Sequence, residues 1–155
     1  MKIILITFAL IIWGLVSWAQ NNPTEEAAIK KVIEQETIAA SNRDFKKWID
    51  CFANTPDLAF GFNSGLPTYM IRGYNTLESF GKEFFRDNPE PLNYTREYID
   101  FKIRTNGNTA FVTCIEIVTQ PDGSKDRIYK ADYLEKINKE WKIIGHIFGQ
   151  EPNTN

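Results

Sequence analysis

The strongest constraint on this chain is its final third, where four strand-length runs follow one another with only short polar turns between them. The runs cover residues 94–105, 110–119, 127–137 and 141–148, and they alternate or are rich in β-branched residues. Asn106-Gly107 is a strong hairpin signal, Pro121-Asp122-Gly123 is a turn, and Asn138-Lys139-Glu140 joins the last two runs. Strands joined this tightly pair antiparallel, as a meander. One face of such a sheet must be covered, and the preceding residues have to supply the cover.

They read as helices. Asn22-Pro23 with Glu25 marks a helix entry, and the helix runs to about Ala40 with Ala28, Ile29, Val32, Ile33, Ala39 and Ala40 as its apolar stripe. Ser41 to Asp44 breaks it. Phe45, Trp48, Ile49 and Phe52 then repeat at i, i+3, i+4 and i+7, and Asn54-Thr55-Pro56 ends this second helix. Short strands are expected over 58–62 and 69–72, with Asn63-Ser64-Gly65 as the turn between them. A third helix is expected over 76–86, with Leu77, Phe80, Phe84 and Gly81 facing inward, stopped by Asn88-Pro89-Glu90-Pro91. Helices first and a meander last make the fold class α+β: three N-terminal helices packed on a curved, mainly antiparallel sheet.

The N-terminus reads as a leader. Met1-Lys2 is positive, residues 3–16 are almost all apolar, and Ser17-Trp18-Ala19 places small residues at the positions a signal peptidase reads. The apolar run is about 14 residues, short of the roughly 20 that span a bilayer. The expected organisation is a signal peptide at 1–19, cleaved before Gln20, one domain at 20–150 and a polar tail at 151–155. The expected location is secreted or periplasmic, with no stable membrane anchor after cleavage. A net charge of −2 with no basic patch argues against nucleic acid as a partner. The two cysteines, Cys51 and Cys114, read either as a disulfide or as two buried thiols.

The order helix, helix, short strands, helix, four long strands resembles the nuclear transport factor 2-like superfamily, which includes the SnoaL-like cyclases and ketosteroid isomerase. Arg43-Asp44-Phe45 followed by Trp48 and Phe52 is similar to its second helix, and Ile71-Arg72-Gly73 followed by Leu77 and Phe80 to its third-helix entry. Gly107-Asn108-Thr109-Ala110 is similar to a strand start, and the stretch from Lys136 through Trp141 to Ile144 to its closing hairpin. The resemblance implies a cone-shaped, cystatin-like fold with a pocket at its open end and, often, a homodimer built through the outer sheet face. It implies no single activity.

The residues limit the chemistry. His146 is the only histidine, so multi-histidine metal sites are excluded, and no cysteine or histidine cluster has ligand spacing. No metal and no cofactor is assigned, because Gly61 and Gly65 lack the context of a phosphate loop. Relatives often carry a histidine four or six residues after the closing Trp. Here those positions are Gly145 and Ile147, so strand alternation puts His146 on the opposite face, as a surface or dimer-interface residue. A proton-carrying role for it is the alternative. Glu116 is a lone charge in an apolar strand. If its face lines the pocket, it is a desolvated base or ligand anchor; if not, it is a solvated surface residue. Arg127, Tyr129 and Tyr133 share one face of the next strand, which makes Arg127 and Tyr129 candidate partners of Glu116. Trp48, Phe60 and Tyr69 complete the candidate ligand-binding set, although aromatics at such spacing also serve as core.

Three readings follow. The favoured one is an exported small-molecule-binding or accessory protein with an apolar pocket. The alternatives are a lyase, isomerase or cyclase using Glu116 or His146 on a small apolar substrate, and a homodimeric interaction domain.

Overall fold

A computed structural model describes residues 23–63 and 69–150. The leader, its cleavage site, the Ser64-Gly65 turn and the polar tail fall outside these residues. Within them, α1 (Pro23–Ser41) and α2 (Phe45–Asp50) come first, followed by β1 (Ala59–Asn63), β2 (Tyr69–Arg72) and α3 (Tyr74–Asp87). The meander is β3 (Thr95–Asn106), β4 (Thr109–Thr119), β5 (Lys125–Ile137) and β6 (Glu140–Gln150). The six strands form one sheet in the order β2-β1-β6-β5-β4-β3. All neighbours are antiparallel except β1 and β6, which run parallel.

Local chemistry sets the element ends. The Asp44 carboxylate accepts the Lys47 N–H and caps α2, and Arg43 before it turns the chain at a φ of 59°. Gly73, at a φ of 80°, leads β2 into α3, a conformation that favours glycine. In α3, Gly81 is where α2 comes closest: a Cβ there would stand 2.5 Å from Trp48 Cζ3. No helix among the described residues is long and apolar enough to cross a membrane.

The core fills the space between the helices and one sheet face. Ile29 and Ile33 of α1, Trp48 and Ile49 of α2 and Leu77 and Phe85 of α3 pack on Phe60, Ala110, Val112, Cys114, Leu134, Trp141 and Ile143. Cys51 and Cys114 are both free and buried, and burial pushes both thiols up to about 12. They are therefore packing groups rather than a bridge. The opposite sheet face carries Phe111, Tyr129, Tyr133 and Ile147, each at least 39% exposed.

Two bulges break the alternation. In β3 the pairing jumps from Ile99↔Ile115 to Lys102↔Thr113, with Asp100 at a φ of 54°. In β6 it jumps from Tyr133↔Gly145 to Leu134↔Ile143, so Ile144 has no partner on β5. Each extra residue bends its strand and reverses which parity of position faces the helices. Trp141 and Ile143 point inward before the second bulge, and His146 points inward after it.

Candidate active site

That phase reversal corrects the expected placement of His146. Counting in twos from Trp141 sends it outward, but the extra residue at Ile144 returns it to the helix-covered face, where it is only 2% exposed. Its ring stacks on Phe60, its cross-strand partner on β1, at 5.2 Å between centroids. On its other side, β5 presents Asp132 directly opposite. The His146 Nδ1 lies 2.5 Å from Asp132 Oδ1, and Asp132 is fully buried. A buried carboxylate at this distance holds Nδ1 as the proton-bearing nitrogen and leaves Nε2 for whatever enters the space beside the ring.

That space is a cavity of about 240 Å³. Trp48, Phe60, Phe80, Phe84, Phe85 and Phe148 line it as an aromatic wall, and its polar lining includes Glu36, Thr37, Arg43, Arg96, Glu116, Lys130 and His146. The volume lies below the roughly 300 Å³ of the smallest drug-sized sites, so the ligand it suits is about one ring with a short arm. A larger, open groove of about 660 Å³ runs between α1 and β3, lined by Lys30, Ile38, Tyr94, Tyr98 and Phe101. Ser41, Leu92 and Arg96 border both hollows.

The polar groups form one buried network. Lys130 extends inward from β5, with its ammonium 3.2 Å from Glu116 Oε2 and 3.5 Å from Glu36 Oε2, and it also donates to Thr37. Trp48 Nε1–H donates to Glu36 Oε1 at 2.8 Å, and the Thr37 hydroxyl donates to Glu36 Oε2 at 3.0 Å. Arg96 Nη1 donates to Glu116 Oε1. Two cations thus face two carboxylates and the charges cancel, a condition for ions this deeply buried. Burial by itself would push the Glu36 carboxyl up. The Lys130 ammonium, His146, Trp48 and Thr37 outweigh it and hold that carboxyl below the usual carboxylate range. Burial likewise disfavours the Lys130 ammonium, but Glu36 and Glu116 more than compensate and raise its pKa above that of an ordinary lysine. The Tyr98 ring, 5.7 Å from the Lys130 ammonium, carries a phenol that burial pushes up to about 12.

The structure brings four of the sequence candidates together and separates three. Glu116 (1% exposed), His146, Trp48 and Phe60 all line the cavity. Arg127 and Tyr129 do not. Register pairs Glu116 with Ile128, so Arg127 and Tyr129 stand beside Ile117 and Ile115 on the outer face. Tyr69 is half exposed on the edge strand β2, stacked on Phe62 and away from the cavity. Five polar members of the network had not been singled out: Glu36, Thr37, Arg96, Lys130 and Asp132. Glu36 and Thr37 follow Ile29 and Ile33 at helical spacing, so the stripe itself was the signal. Among the described residues, no group of three or more acidic, histidine or cysteine side chains is placed to hold a metal ion.

The sequence profile of the SnoaL-like domain matches residues 29–148, which takes in the aromatic wall, the charge network and the His146–Asp132 pair. The chain belongs to the SnoaL-like domain family. Solved structures agree on the fold. A protein of unknown function with a cystatin-like fold from Nostoc punctiforme superposes with a TM-score of 0.69 at 15% identity, covering 85% of this chain and 95% of that one. A nuclear transport factor 2-like protein of unknown function from Pseudomonas putida gives 0.66 at 12% identity, covering 86% and 92%. A ketosteroid isomerase-like protein from Erwinia carotovora atroseptica gives 0.61 at 16% identity, covering 84% and 100%. No curated protein matches the chain in sequence. This SnoaL-like domain therefore has the α+β nuclear transport factor 2-like fold with a curved six-stranded sheet, and its activity has to be argued from its own site.

Proposed function

We propose that this SnoaL-like domain binds a small, largely apolar molecule and moves a proton on it, as a lyase or isomerase does, with His146 Nε2 as the proton carrier. The observation behind this is the His146–Asp132 pair: the only histidine of the chain, held through Nδ1 by a fully buried carboxylate and facing an aromatic-walled cavity. An acid–base group needs its second nitrogen fixed and a dry space in which to work. Glu116 is the weaker candidate, because both of its oxygens are already engaged by cations.

The test is solvent-deuterium wash-in at carbons next to a carbonyl, followed by proton NMR over a panel of cyclic ketones, enones and β-hydroxy ketones. The expected outcome is exchange of at least one compound, reduced by about 10²-fold or more in His146→Gln. Equal rates for the two proteins, or no exchange above buffer for any compound, contradict catalysis. The second reading is binding without turnover, supported by the engagement of both Glu116 oxygens by cations.

We also infer export and homodimerisation. The Ser17-Trp18-Ala19 pattern supports the first. The exposed Phe111, Tyr129, Tyr133 and Ile147 on one sheet face support the second. Native mass spectrometry of the protein recovered from outside the cytoplasm reads both. A dimer of chains beginning at Gln20 is expected. Absence of the protein from that fraction counts against export, chains beginning at Met1 count against cleavage after Ala19, and a monomer mass counts against the dimer.

A further inference from the structure

Among the described residues, three buried side-chain polar atoms lack a partner, Arg96 Nε, Tyr98 Oη and Asp132 Oδ2, and only the first belongs to a cation. Lys130 donates to Thr37, and its ammonium pairs with the Glu36 and Glu116 carboxylates. Glu36 accepts from Trp48 and Thr37, and Glu116 accepts from Arg96. Arg96 is different. A guanidinium carries five donors, and only Nη1 is engaged, with Glu116. Arg96 Nε is buried and has no partner. The side-on edge formed by Nε and Nη2 is therefore without a partner, and its two parallel N–H groups have the geometry that matches a carboxylate. Leaving a buried donor unmet is costly, so a group that satisfies it binds with more than its usual strength.

We propose that the ligand of this pocket is a small aryl or cyclic carboxylic acid whose carboxylate docks on the Nε–Nη2 edge of Arg96. This rests on the cavity being the working site, and it adds the class of molecule. Arg96 borders both the open groove and the cavity, so an acid arriving through the groove meets it at the threshold. The groove side is lined by Tyr94, Tyr98 and Phe101, with Lys30 and Glu34 also present, so away from Arg96 it is largely aromatic with one charge of each sign. The guanidinium carbon itself lies 5.9 Å from the Tyr94 ring centroid, which restrains it from swinging away.

The second argument is span. Arg96 stands on β3 and His146 on β6, three strand-to-strand steps apart. At about 4.8 Å per step this is roughly 14 Å along a flat sheet, and the inward reach of both side chains and the sheet's curvature shorten the gap. A ring with a short alkyl arm fits that length and the cavity volume. Its carboxylate would lie on Arg96 and its ring against Phe60, Phe85 and Phe148, beside His146 Nε2.

The test is a titration, by ligand-observed NMR, of phenylacetate, hydrocinnamate and phenylbutyrate, each beside its primary amide. The amide keeps the shape and removes the charge. At least one acid is expected to bind ten-fold or more tightly than its amide. Arg96→Gln is expected to abolish that preference. Arg96→Lys, which keeps a cation beside Glu116 and so guards against an unfolded variant, is expected to reduce it, because a lysine has charge without the fork. Equal binding of acid and amide by the native protein overturns the inference and leaves the pocket reading standing. A preference unchanged in both Arg96 variants overturns it too, as does the absence of saturable binding by every acid. The wash-in assay on neutral ketones judges the pocket reading separately.

Discussion

Lys130→Met is expected to remove about 3–5 kcal/mol of folding stability near neutral pH, the cost of stranding buried charge when its partner is taken away. Lys130 is 5% exposed, and its ammonium stands between Glu36 and Glu116. The methionine fills the volume without strain, so the loss is electrostatic and its pH dependence identifies it. In the native protein the Glu36 carboxyl is held below its ordinary value of 4.5. That contribution is present above the unfolded pKa and is lost as pH falls through the folded one. Without Lys130 the largest lowering influence is gone, and burial pushes Glu36 up against the smaller effects of His146, Trp48 and Thr37. A raised carboxyl contributes stability that is present below the unfolded pKa and is lost as pH rises through the folded one. Denaturant midpoints of the two proteins should therefore be far apart near pH 7 and converge on acidification. Adding Glu36→Gln to Lys130→Met should recover part of the loss. A variant within about 1 kcal/mol of the native protein, with the same acid limb, would show that the network carries little of the stability.

The second large effect concerns Asp132. Asp132→Asn keeps size and shape but replaces an acceptor-only carboxylate with an amide that can present its N–H to His146 Nδ1. The ring is then held in the wrong tautomer, with its proton on Nε2. In proton transfer by a carboxylate-held histidine, that error costs about 10⁴-fold, so the wash-in rate should fall by about 10²–10⁴ with little change in ligand affinity. Asp132→Asn that binds and exchanges like the native protein would reduce the pair to a packing contact. Asp132 Oδ2 is buried without a partner, an expense that a purely structural pair could avoid.

The fold was largely legible because its signals are local. Hairpin turns, helix breaks and apolar spacing set the order of elements, and the fold does not depend on long-range detail to reveal them. The site was legible only in part, for two physical reasons. First, residue character misled on β5. Arg127, Tyr129 and Tyr133 look like a pocket wall beside Lys130 and Asp132, which look solvated. Yet Lys130 and Asp132 face inward, because Glu36, Glu116 and His146 wait there to balance them. No single strand carries that information, since the partners lie on α1, β4 and β6. Second, a bulge is nearly silent in sequence. One extra residue at Ile144 reversed the face of His146, and strict counting in twos from Trp141 could not register it. Glu116 needed no such correction, because β4 pairs without interruption with β5.

Proton transfer at this site depends on which nitrogen of His146 carries the proton, and a single histidine makes that directly readable. The measurement is a long-range proton–nitrogen NMR correlation on protein labelled with ¹⁵N-histidine and purified without a histidine tag, recorded at a pH where the ring is neutral. The expected result is a protonated Nδ1 whose N–H donates to Asp132, and a bare Nε2 facing the cavity. A ring protonated on Nε2, with Nδ1 accepting from Asp132, would contradict it and leave the pocket without its base.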